Sequence, residues 1–392
     1  MLVKIAIVTG DDILTDDPHQ LCAALAARGH QAVTYVRQRD RRPAEATTDG
    51  GCRIRSISVG PRVAASPAEV LPHVGEWAAT LERLWSTDQP DVVHAYGWLG
   101  GLAGQLAARR QRIPVVQTFQ GLVATSRGGS RQESERERIE PLLARGAGWV
   151  TGECTADVEL LARLRRSRAR VSVLGSGVDV ERYSPVGPVV ARNGLHRVLA
   201  MAPDLSSHNG FDIAIRALPR VMGTELVIAE TAAGDPANAA ARAALEHLAG
   251  ELGVADRVRF AGAVGADDLP RLLRSADVVA CTPRQPPLCA TALRAMASGV
   301  AVVALPVGVL SDVVVDAVTG LVLSQHSPAA VAAGLRSLLA QSFQCDSMGA
   351  AGRSRAVSRF SWDRIALDSV NIYLRLASPR PAPSDLQPAE PQ

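Results

Sequence analysis

The chain has 392 residues, too many for one ordinary core and enough for two. Apolar residues make up 47% and charged residues 21%, a globular rather than a disordered profile. The formal net charge is only +3, without the clustered basic excess of a nucleic-acid-binding surface.

Residues 3–9 form a short apolar run that stops at Gly10. It lacks the longer apolar stretch and cleavage site of a signal peptide and predicts a first buried strand. A helix ended by Gly29 is expected over 18–28 and the next strand over 32–36. Helices follow at 69–85, 99–109, 136–145 and 156–165, alternating with strands at 91–94, 115–118, 149–151 and 171–174. Residues 184–194 carry two Pro, two Gly and no strong periodicity, which predicts an interdomain linker.

The alternation then restarts, with strands at 197–201, 225–229, 258–261, 278–281, 300–304 and 321–323. The helices expected between and after them cover 211–221, 238–252, 269–274, 289–297 and 329–340, with two more near 347–359 and 362–376. Strands apolar on both faces and spaced by helices imply parallel sheets covered on both sides. The expected domains are 1–185 and 190–360, with the helix at 361–376 packing back on the first and a disordered Pro-rich tail at 378–392. Two doubly wound Rossmann-like α/β halves enclose a cleft, and ligands of such sheets sit at the carboxyl ends of the strands.

Six Cys are scattered without zinc spacing and read as reduced, packed thiols; no metal site is expected. No run of 18 apolar residues predicts a membrane span, and a cytoplasmic protein is expected. Lys4 is the single lysine, an Arg-for-Lys bias read as codon usage.

Several segments, in common order, resemble the retaining GT-B-fold glycosyltransferases of family 4. They are VSVLGSGVDVERYSP at 171–185, VRFAGAVGADDLPRLLRSADVVACTP at 258–283, ALRAMASGVAVVA at 292–304, DVVVDAVTGLVL at 312–323 and FSWDRIA at 360–366. HQLCAALAARGHQAVTYV at 19–36 and DVVHAYGW at 91–98 look like elements of the first domain. The resemblance implies transfer of a hexose from a nucleotide-diphosphate sugar, as co-substrate rather than cofactor, to an unknown acceptor.

The resemblance also implies an Arg and a Lys that hold the donor diphosphate; their positions here are Asp204 and Asn209, with His208 as a partial substitute. A solvated turn is the competing reading of Asp204 and His208. Two Glu expected around the donor loop are replaced by Pro286 and Arg294. Arg294 cannot accept a hydrogen bond; it and Arg284 attract an anion, or Arg294 is a solvated helix residue. The backbone N–H groups of Leu288, Cys289 and Ala290, at a helix start, remain as anion donors. The His that would contact the transferred sugar is Gln120, which hydrogen-bonds but cannot act as a base.

His94 ends the preceding strand, as a cleft residue or a structural one. The loop opening with Gly10 and Asp11 carries four Asp where the family has a Gly-rich turn near the donor phosphates. It is read as a solvated loop, with a metal or a basic partner as alternatives. Arg163, Arg165, Arg166, Arg168 and Arg170 are read as a solvated helix end, with anionic lipid or an acidic partner open. Two functions follow: an atypical transferase, and a non-catalytic relative that binds a sugar, a nucleotide or a protein partner.

Overall fold

The computed structural model describes residues 2–13, 15–38, 44–48, 50–64, 66–125, 131–232, 238–286 and 290–377. The tail expected at 378–392 and the donors expected at Leu288 and Cys289 lie outside the described residues.

The first lobe holds eight strands: β1 Lys4–Thr9, β2 Gln31–Arg37, β3 Glu45–Thr47, β4 Arg53–Ile57, β5 Val92–Tyr96, β6 Val115–Thr118, β7 Trp149–Gly152 and β8 Val171–Val173. Its helices are α1 Asp17–Ala27, α2 Val74–Thr87, α3 Gly97–Gln111, α4 Arg131–Gly146 and α5 Thr155–Arg165. The sheet order is β3-β4-β2-β1-β5-β6-β7-β8, parallel except for the antiparallel edge strand β3. One apolar layer packs α2 and α3 against the sheet, around Trp77, Leu81 and Leu99; the other packs α1 against it, around Ile5, Ile7 and Leu21.

The second lobe holds β9 His196–Ala202, β10 Thr224–Glu230, β11 Val258–Ala263, β12 Val278–Cys281, β13 Ala301–Ala304 and β14 Gly320–Val322. Its helices are α6 Phe211–Ala217, α7 Asn238–Glu251, α8 Leu269–Arg274, α9 Ala290–Ala297, α10 Leu310–Val313, α11 Pro328–Leu339 and α12 Ser342–Arg355. The order β11-β10-β9-β12-β13-β14 is again doubly wound, as the sequence implies. Both strand orders reverse beside the first strand of the lobe, at β1/β5 and at β9/β12.

A final helix, α13 Trp362–Ala377, returns to the first lobe. Ile365, Val370, Ile372 and Tyr373 join the layer around Ile5 and Leu21, and Arg28, just after α1, pairs with Asp363. The lobes are also joined where Val178 N donates to Phe360 O at 2.7 Å and Thr155 N to Asp312 Oδ2 at 2.5 Å. Cys22, Cys52, Cys154, Cys281 and Cys345 are free and buried. Among the described residues no helix is long and apolar enough to cross a membrane.

Candidate active site

The carboxyl ends of parallel strands collect the polar residues of the first lobe. Asp11 and Asp12 follow β1, Arg37 ends β2, Gly97 and Trp98 follow β5, and Gln120 follows β6. They line a cavity of about 640 Å³ together with Arg62, Arg136 and Glu140. The cavity lies at the β1/β5 reversal, where a doubly wound sheet opens a crevice.

Asp11 is not the solvated residue expected of this loop. Arg37, 1% exposed, donates through Nε to both of its carboxylate oxygens, at 3.1 and 3.0 Å. The same guanidinium binds the carbonyls of Val59 and Pro61, which leaves it little freedom. Gly10 packs against α3, where a Cβ would stand 2.7 Å from Leu99 Cβ and 2.9 Å from Gly100 N.

Asp12 caps α3 from outside the helix, accepting from Trp98 N at 2.6 Å. Gly97 makes room for it: φ is +67°, and a Cβ there would stand 2.1 Å from Asp12 Oδ2. Burial pushes the Asp12 carboxyl up to about 6 against the pull of the Trp98 and Leu99 N–H groups. Its Oδ1 and the Trp98 Nε1 are buried with no hydrogen-bond partner among the described residues. On the far wall Arg136 holds Glu140 through two nitrogens, at 2.9 and 2.6 Å. Arg62 is exposed and has no partner among the described residues.

Gln120 is locked on both atoms. Thr15 Oγ1 donates to Oε1 at 3.0 Å, and Nε2 donates to Asp17 Oδ2 at 2.7 Å. Behind it, Ser176 Oγ touches Asp17 Oδ2 and Glu153 Oε1.

Of the two readings of His94, the structure rules out the cleft residue and bears out the structural one. β5 runs two residues past it, so it sits in mid-strand with no exposed surface. Its Nδ1 meets Tyr373 Oη and its Nε2 meets Thr118 Oγ1, both at 2.6 Å. Burial lowers its pKa to about 3, and a neutral, fully engaged ring cannot serve a ligand.

In the second lobe the β9/β12 reversal brings Asp204, His208, Asn209 and Arg284 together. Asn209 Nδ2 donates to Asp204 Oδ1 at 2.9 Å and to Asp204 O at 3.0 Å, and Ser206 N donates to the same carboxylate at 2.8 Å. Partial burial pushes the Asp204 carboxyl up, but these bonds outweigh it and hold it below the ordinary range. Arg284 N donates to His208 O at 2.8 Å, while its guanidinium pairs with Asp212. His208 is exposed, and Pro286 packs over Gly308. Ala290 opens α9 half-buried. Arg294, on α9, lies over the Tyr183 ring at 5.4 Å and acts electrostatically on Asp17 of the other lobe. No group of three or more metal-ligating side chains occurs among the described residues. Of the arginine run, Arg165 binds the carbonyls of Ala144 and Ala147, and the other four are exposed.

Residues 17–177 match the glycosyl transferase 4-like domain and residues 189–355 the glycosyl transferases group 1. A D-inositol 3-phosphate glycosyltransferase of Salinispora tropica is 30% identical over 349 residues, 82% of this chain and 72% of the relative. One from Xylanimonas cellulosilytica is 30% identical over 385 residues, 93% and 91% of the two chains. The chain belongs to the group 1 glycosyltransferases. Its fold is GT-B: sucrose-phosphate synthase from Thermosynechococcus elongatus superposes with a TM-score of 0.80 at 21% identity, over 95% of this chain and 99% of that one. Anabaena HepE in complex with UDP and glucose gives 0.73 at 18%, over 95% and 100%.

The positions that the family resemblance assigns to a cationic clamp hold an Asp and an Asn bonded to each other. The expectations drawn from sequence took Asp12 and Asp17 only as members of the four-Asp loop and missed Thr15, Arg37, Arg62, Trp98, Arg136, Glu140, Glu153 and Ser176. A signal for most of them was present: they end or closely follow a strand of the parallel sheet.

Proposed function

We propose that this glycosyltransferase moves a hexosyl group from a nucleotide-diphosphate sugar, with retention, to a small hydroxyl-bearing acceptor seated in the first-lobe cavity. The observation that carries the reading is the cavity of about 640 Å³, which has Gln120 in its wall. Its volume falls inside the ~300–1,000 Å³ range of small-molecule sites. The curated relatives act, by name, on D-inositol 3-phosphate. Arg62 suits an acidic group of that kind, because Arg37 and Arg136 are already matched by Asp11 and Glu140. On the donor side, developing diphosphate charge falls to Arg294 and the N–H groups at the start of α9.

The Asp204–Asn209 bond favours a second reading, a non-catalytic relative that binds a sugar, a nucleotide or a transferase partner. Loss of one well-placed stabiliser of developing charge lowers a rate by ~10²–10³. The two readings part in a transfer assay with UDP-, GDP- and ADP-glucose and D-inositol 3-phosphate, alongside calorimetry with the free nucleotides. Transfer by the natural chain supports the first. Nucleotide binding gained only in Asp204→Arg/Asn209→Lys, by roughly tenfold or more per restored cation, with no transfer by the natural chain, supports the second. A folded double variant that binds no better removes those positions from the donor site.

A further inference from the structure

Ser176 Oγ stands 3.0 Å from Glu153 Oε1 and also contacts Asp17 Oδ2. A hydroxyl has one proton, so it cannot donate to two carboxylates at once. One of the two must itself carry a proton. Asp17 Oδ2, the oxygen that meets Ser176, already accepts from Gln120 Nε2 at 2.7 Å, which favours Asp17 as the anion. Glu153 is then the acid: its proton goes to Ser176, and the Ser176 proton goes to Asp17.

The surroundings agree. Glu153 is 7% exposed, and its own N–H donates to the Asp157 carboxylate at 3.1 Å. Asp16 and Asp157 crowd the pair with negative charge, Tyr96 of β5 faces it, and Arg294 of α9 is the cation acting on Asp17. Burial and the neighbouring Asp17 charge push the Glu153 carboxyl up to about 8, and burial pushes Asp17 to about 6.

We propose that Glu153, Ser176 and Asp17 share one proton in a directed chain that ends on Gln120 and fixes the face its amide shows to a ligand hydroxyl. Because Asp17 only accepts, Nε2 must point to it, and Thr15 takes Oε1. One N–H and one lone pair of the Gln120 amide remain, enough to accept from and donate to a single C–OH group. Gln120 is the residue that touches the ligand; Asp17, Ser176 and Glu153 are positioning residues. The assignment of that ligand as a hydroxyl-bearing acceptor rests on the function proposed above; the proton chain does not.

The full chain without ligand supplies the test. Infrared spectroscopy at neutral pH is expected to show the stretch of a protonated carboxyl that Glu153→Gln removes. The Gln120 side-chain amide signal in NMR, assigned by its loss in Gln120→Leu, should move as Glu153 gives up its proton at alkaline pH. In Glu153→Gln that movement should vanish, and in Ser176→Ala the infrared band should persist while the Gln120 signal no longer follows pH. Should Glu153→Gln fail to fold, Ser176→Ala carries the comparison. A missing band, or a Gln120 signal with the same pH course in the variants as in the natural chain, overturns the proposal. Absence of transfer with an intact band and an intact Gln120 titration defeats the transferase reading and leaves the chain standing.

Discussion

His94 is enclosed without exposed surface, and Tyr373 and Thr118 occupy its two ring nitrogens. A proton on this ring finds no water, so burial holds its pKa at about 3 when folded, against ~6.5 in the unfolded chain. The unfolded state therefore binds the proton first. The stability due to neutral His94 is complete above the unfolded value and erodes as pH falls toward the folded one. The slope reaches up to ~1.4 kcal/mol per pH unit. His94→Asn, which cannot ionise, should flatten the acid limb of stability in urea unfolding measured from neutral to weakly acidic pH. Parallel acid limbs would show that another group sets this dependence. Glu153 works with the opposite sign. Its folded pKa is raised to about 8, so its contribution is present at low pH and lost as pH climbs through that value.

At the next scale, the start of α6 meets the residue after β12 at one backbone position, Gly210. Gly210 has φ +70°, and a Cβ there would stand 1.8 Å from Thr282 O. Thr282 Oγ1 returns the contact, donating to Gly210 O at 2.9 Å. Gly210→Ala thus meets left-handed strain and a backbone collision together. It should lower stability by at least ~1–3 kcal/mol, read as a lower thermal midpoint by circular dichroism. An unchanged midpoint would mean that β12 and α6 can separate freely. The apolar runs of β1, β10 and β12 announce themselves in sequence because both faces are buried. β3 does not: Glu45–Thr47 is wholly exposed and exists only through pairing with β4. The helix expected from 69 starts at Val74, because Pro67 and Pro72 confine the preceding residues to short 3₁₀ turns. The site follows the same logic. The departures from the family resemblance at Asp204, Asn209, Pro286 and Arg294 are legible one by one, since a charge change needs only the residue name. The Glu153–Ser176–Asp17 chain joins residues that only the fold brings together.

At the scale of the whole molecule, the last helix belongs in packing to the lobe it leaves first in sequence. α13 sends Ile365, Val370, Ile372 and Tyr373 into the layer that covers β1 and α1, each at most 8% exposed. Burial of such side chains stabilises by ~1.5–3 kcal/mol each, together roughly 6–12 kcal/mol. That is comparable to the whole net stability of a domain, about 5–15 kcal/mol. Tyr373 also holds His94, so removing the helix would open a second polar site in the same core. The five tryptophans make this measurable: Trp77, Trp85, Trp98 and Trp149 lie in the first lobe and Trp362 in α13, so intrinsic fluorescence reports on that half alone. A chain ending at Phe360 should show red-shifted emission and rapid proteolysis of residues 1–185, while a fragment near 190–356 persists with its secondary structure. Native-like emission with an undiminished urea midpoint would instead make α13 a removable cover. The connector and the Val178–Phe360 and Thr155–Asp312 bonds would then tie the two lobes together.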